Sequence, residues 1–135
     1  MIEKSSVKII LMGDKNEKQL CRATAETMKA ASLMIAGETT LGQTAALLAK
    51  CKLVVANDGG PLHMAVAVGA KTVSIFGPVD EDVYGPYPKG RHAVAAKSIA
   101  CRPCYRRFRM VNCQHHSCLR LLEVDEVLKK IEEIL

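Results

Sequence analysis

The sequence predicts an α/β domain of the Rossmann-like kind, a parallel sheet flanked by helices, and three observations carry that prediction. Short apolar runs rich in β-branched residues alternate with helix-patterned stretches of eight or more residues. The runs VKIILM, LVVA and TVSIF are continuous rather than alternating, as strands covered on both faces must be. Each run ends in turn chemistry, at Gly13, at Asp58-Gly59-Gly60 and at Gly77-Pro78. Strands linked through helices in this way pair in parallel by right-handed crossovers. With 135 residues, 49% of them hydrophobic, the chain can bury one real core, and two domains would not fit.

The elements follow in order. Val7 to Met12 is the first strand, and Lys15 to Ala31 carries Leu20, Ala23, Thr24, Thr27 and Met28 at helical spacing. Ser32 to Ala36 reads as a second strand, Gly37 to Thr40 as a loop, and Leu41 to Lys50 as a helix with Leu41, Ala45 and Leu48 on one face. Leu53 to Ala56 is a third strand, Pro61 to Val68 a third helix, and Thr72 to Phe76 a fourth strand. Prolines and glycines from Val79 onward break any period, leaving a loop with one short strand near Ala93 to Ala96. Glu123 to Leu135 is an amphipathic terminal helix with Val124, Val127, Leu128, Ile131 and Leu135 on its apolar stripe.

The formal net charge of +5 is strongly local. Between Lys97 and Leu122 lie Lys97, Arg102, Arg106, Arg107, Arg109 and Arg120 with no Asp or Glu, while the remainder is close to neutral. A charged partner therefore belongs to that segment, as an acceptor- or membrane-facing surface, with a solvated basic loop as the plain alternative. Only Tyr105 and Phe108 offer stacking there, so nucleic acid is not expected. No run of about 18 apolar residues occurs, and the charged start MIEKSS lacks the apolar segment of a signal peptide, so a soluble, cytoplasmic chain is expected.

The same segment holds Cys101-x2-Cys104-x8-Cys113-x4-Cys118, with His115 and His116 inside it. The ligand types and the first spacing are those of a structural zinc site, although a pair separated by four residues is less usual. Free thiols and native disulfides are the alternatives. Cys21 and Cys51 read as small buried hydrophobes.

The stretch NDGGPLHMAVAVGAKTVSIFGP, Asn57 to Pro78, combines turn residues with the start of a helix directly after a strand. Open α/β sheets bind ligands outside the carboxyl ends of their strands. Pro61 suits a first helical turn, Gly59 and Gly60 admit a close approach of the backbone, and free N–H groups there favour an anion. His63 is placed to donate to a phosphate oxygen. Asp58 is placed to accept from sugar hydroxyls or to cap the helix, and a structural histidine is the plain reading of His63.

The run from Gly37 to Asp80, GETTLGQTAALLAKCKLVVANDGGPLHMAVAVGAKTVSIFGPVD, closely resembles the carboxy-terminal, nucleotide-sugar-binding domain of glycosyltransferase family 9, the bacterial heptosyltransferases of lipopolysaccharide core synthesis. The likeness extends forward through YGPYPKG and the cysteine-rich segment and backward to KIILMGDKNEKQL. It implies one half of a GT-B enzyme that transfers an ADP-activated heptose to a lipopolysaccharide acceptor, with no cofactor needed for the chemistry. By that resemblance Asp58, Gly59, Gly60 and His63 hold the diphosphate and donor sugar, Thr39, Thr40 and Leu41 contact the adenine, and Glu17 reaches the ribose. Gly59 stands where the family usually has Ser or Thr, so a backbone N–H must replace a hydroxyl. The family's domain begins with one more strand and a lysine-bearing loop, and its amino-terminal domain supplies the general base. This chain starts after that strand, so the resemblance implies a fragment or truncated relative, inactive alone and located at the inner face of the bacterial inner membrane. Strand edges left without a neighbour imply self-association. The competing reading is a small Rossmann-like binding module organised by a Cys/His metal site.

Overall fold

The computed structural model describes residues 7–88, 90–105, 107, 109 and 111–135. It divides into two compact units, Met1–Thr44 and Ala45–Leu135.

In the first unit β1 (Ile9–Leu11) and β2 (Ser32–Met34) pair in parallel, Ile9 opposite Ser32 and Leu11 opposite Met34, with α1 (Lys18–Thr27) between them in sequence. The loop entering α1 closes on itself. Asp14 Oδ1 accepts from the N–H groups of Asn16 (2.7 Å) and Glu17 (3.1 Å), and Glu17 Oε2 accepts from Asp14 N–H at 2.8 Å. The inward residue of α1 is Cys21, whose thiol faces the Met12 carbonyl at 3.7 Å. This corrects the predicted helix face: Leu20 is 67% exposed, because α1 begins at Lys18 and presents Cys21 to its short sheet. Thr24 and Thr27 instead donate to carbonyls of the same helix. Gly37, at φ +67°, lies where a Cβ would meet Lys15 Cα at 2.8 Å, and its N–H donates to Gly13 O at 2.8 Å. Only glycine serves there. The bond ties together the loops leaving β1 and β2.

Helix α2 (Leu41–Leu48) continues from the first unit into the second and buries Leu48. Leu41 is 74% exposed, so it is not on the buried face the spacing suggested.

The second unit contains β3 (Val54–Asn57), α3 (Gly60–Ala67), β4 (Thr72–Phe76), α4 (Glu81–Tyr84), β5 (His92–Ala96), α5 (Ser117–Arg120) and α6 (Val124–Ile134). Its parallel sheet has the order β3-β4-β5, with Asn57 opposite Ile75 and Phe76 opposite Ala96. Strand β4 is central and almost wholly buried, as a continuous apolar run requires. Helix α6 packs on β5 and β4, where Ile131 joins Val73 and Ala93, flanked by Leu53, Val127, Leu128 and Ile134. Val124 and Leu135, placed on its apolar stripe by spacing, are exposed at the two ends of the helix. The buried hydroxyls of β4 are both satisfied: Thr72 shares a hydrogen bond with His92 Nδ1 at 3.0 Å and Ser74 donates to Ala93 O at 3.3 Å. Lys71 Nζ donates to the Ile134 carbonyl at 2.8 Å, a cation at a helix C-terminus.

Candidate functional site

At the carboxyl end of β3 the chain turns directly into α3. Asp58 N–H still donates to Ile75 O at 3.1 Å, which holds the turn against the neighbouring strand. Gly59 follows in extended backbone, φ 162° and ψ −174°, which any residue can adopt, so its value lies in the space it leaves. A Cβ at Gly59 would meet nothing nearer than Pro61 Cδ at 4.0 Å, and one at Gly60 would meet nothing within 4 Å. The helix start therefore opens onto free space. His63 N–H donates to Gly59 O at 3.3 Å, while the N–H groups of Gly60 and Leu62 have no backbone partner among the described residues. No side chain caps them.

Asp58 does not cap the helix. Its carboxylate accepts no hydrogen bond from the described residues, and His63 Nε2 lies 3.9 Å from it, with side-chain exposures of 24% for Asp58 and 54% for His63. Unpartnered N–H groups, an exposed imidazole and a half-buried carboxylate thus meet around one opening. Such a start attracts an anion. A carboxylate beside it suits hydroxyl donors.

The residues expected to contact a nucleoside lie in the first unit and at the start of α2. Glu17 is at the start of α1, where its carboxylate accepts from Asp14 N–H. Thr39 Oγ1 shares a hydrogen bond with Thr44 Oγ1 at 2.8 Å. Thr40 forms a capping box with Gln43: Gln43 Oε1 accepts from Thr40 N–H at 2.8 Å, and Thr40 Oγ1 accepts from Gln43 N–H at 3.3 Å. Both threonine hydroxyls are engaged in local structure. The T-x-x-Q spacing was the signal for this role. Leu41 begins α2 as an exposed apolar surface.

Two of the six cations of the basic segment, Lys97 and Arg102, are compensated by carboxylates outside it. Arg102, 8% exposed at its side chain, pairs with Glu81 at 2.7 Å and also donates to the carbonyls of Gly77, Val79 (3.1 Å) and Lys97 (3.2 Å). Lys97 pairs with Glu126 at 2.9 Å. Glu81 and Glu126 both lie outside the carboxylate-free stretch, which is why a local reading overlooked them. Arg107, Arg109 and Arg120 are exposed, and Arg106 and Phe108 lie outside the described residues.

Of the clustered cysteines, Cys118 is buried, Cys104 and Cys113 are half-buried and Cys101 is exposed, and all are free thiols. His116 N–H donates to Cys113 Sγ at 3.3 Å, and His115 Nδ1 shares a hydrogen bond with Ser117 Oγ at 2.9 Å. Among the described residues no three His, Cys, Asp or Glu side chains gather as a metal site requires. Elsewhere Cys21 is buried as expected, while Cys51 is only half-buried, its thiol pKa raised by burial.

Residues 1–115 match the family model of glycosyltransferase family 9 (heptosyltransferase). The chain belongs to glycosyltransferase family 9. Its relatives include lipooligosaccharide heptosyltransferase 2 of Campylobacter jejuni serotype O:6, 27% identical over 133 residues, which are 96% of this chain and 42% of the relative. Lipopolysaccharide heptosyltransferase 2 of Escherichia coli K12 is 42% identical over 52 residues, 38% of this chain and 15% of that one. The solved structure of Escherichia coli ADP-heptose lipopolysaccharide heptosyltransferase II superposes with a TM-score of 0.75 at 22% identity, covering 94% of this chain and 36% of that one. A family 9 glycosyltransferase from Veillonella parvula superposes with a TM-score of 0.60 at 29% identity, over 64% of this chain and 25% of that one. The likeness to the Escherichia coli structure shows the Rossmann-like fold. This family 9 chain spans about two fifths of the length of the Campylobacter relatives, 42% and 40%. No helix among the described residues is long and apolar enough to cross a membrane.

Proposed function

We propose that this chain is the donor-binding half of a family 9 glycosyltransferase that moves a heptose from an ADP-sugar to a lipopolysaccharide core acceptor, with the donor diphosphate seated on the start of α3. The uncapped helix start at Gly59 and Gly60 carries the reading. Family membership and the relatives' activities support it.

In this reading the N–H groups of Gly60 and Leu62, with Gly59, donate to phosphate oxygens, and His63 adds a side-chain donor. Asp58 accepts from sugar hydroxyls. Transfer breaks the bond from the anomeric carbon to the diphosphate oxygen and forms one to an acceptor oxygen, whose proton passes to a base on the complementary half. The helix start stabilises the charge that collects on the departing diphosphate. No cofactor enters this scheme, and zinc at the cysteine segment is no part of it. The acceptor reaches the site through the complementary half, at the inner face of the membrane.

The isolated chain should bind weakly. A helix terminus contributes about 0.3–1 kcal/mol toward an anion, whereas even millimolar affinity requires about 4 kcal/mol. Titration of the labelled chain with ADP, followed by NMR, should move Gly59, Gly60 and His63 first. A response confined to residues away from this turn would remove the assignment.

A further inference from the structure

The chain between Tyr105 and Leu119 leaves the fold and returns to it at one place. The N–H groups of Cys104 and Tyr105 both donate to Pro78 O, at 3.0 and 3.1 Å, and Leu119 packs over Gly77, where a Cβ would meet its Cδ2 at 3.2 Å. Gly77 and Pro78 follow β4 directly, so both ends of this loop are fixed at the carboxyl edge of the sheet. The Asp58–His63 turn is tied to the same edge, through Asp58 N–H and Ile75 O.

The loop and its return display cationic and apolar side chains together. Arg107, Arg109 and Arg120 are exposed and none forms an ion pair with a described residue, in contrast to Lys97 and Arg102, which Glu126 and Glu81 compensate. Among them stand Val111, 56% exposed, Leu119, 45%, and Leu121, 50%. The nearest acids along the chain are Glu123 and Asp125 at the start of α6, and Glu123 is held in its capping box. Arg107 has φ 51°, a left-handed conformation that suits glycine best, so a cation is kept there against the local preference of the backbone.

The mixture decides the partner. A small anion would engage the arginines and leave the valine and leucines in water, whereas an apolar groove would leave the arginines unpaired. The boundary of an anionic bilayer uses both, because guanidinium groups meet lipid phosphates there while aliphatic side chains enter the edge of the acyl region.

We propose that the segment displaying Arg107, Arg109, Val111, Arg120 and Leu121 docks this chain reversibly on anionic lipid headgroups. The docking turns the carboxyl edge of the sheet toward the bilayer. It does not depend on where the diphosphate sits, so either reading can fail alone.

Co-sedimentation of the 135-residue chain with vesicles tests it. The chain should pellet with vesicles of phosphatidylglycerol and phosphatidylcholine and stay in solution with phosphatidylcholine alone. Binding should fall steeply as salt shortens the screening length from about 10 Å at 0.1 M to about 3 Å at 1 M. Arg107→Gln, Arg109→Gln and Arg120→Gln should each weaken it about fivefold, the equivalent of about 1 kcal/mol per arginine at an anionic surface. Leu121→Ala should weaken it at least about fourfold, the worth of one buried CH2 group. Lys52→Gln, at an exposed cation outside the segment, should leave it unchanged. All these side chains are exposed, and matching denaturation midpoints verify that each variant is folded. A chain that stays in solution with anionic vesicles, or pellets equally with neutral ones, overturns the proposal. So does a loss on Lys52→Gln equal to that of the arginine variants, which would mean attraction by net charge alone. Arginine variants that weaken binding while Leu121→Ala does not would overturn it in favour of a simple polyanion contact.

Discussion

The starts of α2 and α3 show opposite ways of finishing a helix. Thr40 and Gln43 close the start of α2 with reciprocal side-chain bonds. The start of α3 has Gly59, Gly60 and Pro61, no side-chain cap, and open space where a Cβ would be. Orphan N–H groups are ordinarily satisfied by caps, water or ligands. The starts of α2 and α6 are closed by reciprocal side-chain bonds, whereas α1 and α3 have no side-chain cap, and of those two α3 adds glycines with open space where a Cβ would be. Closed features should therefore reveal themselves by loss of stability when mutated, and the open one by loss of binding.

The largest effect should come from Arg102, which closes the loops after β4 and β5 as a cap closes a helix. Arg102→Ala would strand the Glu81 carboxylate and three carbonyls. Breaking a buried pair costs 3–5 kcal/mol, and Glu81 is 35% exposed, so the lower end, about 3 kcal/mol, is expected. Urea denaturation measures it. A loss under 1 kcal/mol would mean that the staple does not hold the loops.

Next is a direct attack on the contrast. Gly59→Asp supplies α3 with the cap it lacks, since extended backbone at this position accepts any residue and an aspartate there can accept from Leu62 N–H. Stability should hold or rise by a few tenths of a kcal/mol. ADP affinity should fall at least tenfold, about 1.4 kcal/mol, because the donors are taken and a negative charge is added. Undiminished ADP binding would show that the anion goes elsewhere. The converse change at α2, Thr40→Ala, should cost about 1 kcal/mol of stability, seen as a lower denaturation midpoint with an unchanged slope. If Thr40→Ala is neutral, the capping box is not what secures α2.

Much of this was legible in the sequence, and the parts that were not have a common cause. Thr72 to Phe76 was read with its true ends because a central parallel strand is one unbroken apolar run between glycine-bearing turns. The Asp58–His63 turn was legible because glycine, proline and histidine are close together in sequence as well as in space. Leu20 and Leu41 misled because short helices on small sheets bury few residues, and here the inward ones were Cys21 and Leu48. The pairs Arg102–Glu81 and Lys97–Glu126 were invisible because each joins positions more than twenty residues apart. Charge counted along the chain placed Lys97 and Arg102 in a basic patch, although the fold pairs them with Glu126 and Glu81.

The smallest effect, and the finest test of the contrast, is a proton. Helix α6 begins with a capping box in which Glu126 Oε2 accepts from Glu123 N–H at 2.9 Å, and the same carboxylate pairs with Lys97 Nζ at 2.9 Å. The hydrogen bond from Lys97, then the one from Glu123, hold the Glu126 carboxyl below the usual glutamate range. A carboxyl depressed on folding contributes stability that is present above its unfolded pKa and is lost as pH falls through the lower, folded pKa. The start of α6 should thus loosen only in acid, beneath the range where ordinary glutamates titrate, and the contribution is slight because the pair is partly exposed and screened. Carbon-detected NMR of Glu126, with the Glu123 amide as reporter, should give one shared midpoint below the ordinary glutamate value. Glu126→Gln should abolish that midpoint at the Glu123 amide. The start of α3, capped by no carboxylate, should show no such step at Gly60 or Leu62. A midpoint for Glu126 at or above the ordinary value would mean that its carboxyl is not held by these two donors, and one of the closed helix starts would no longer count as closed.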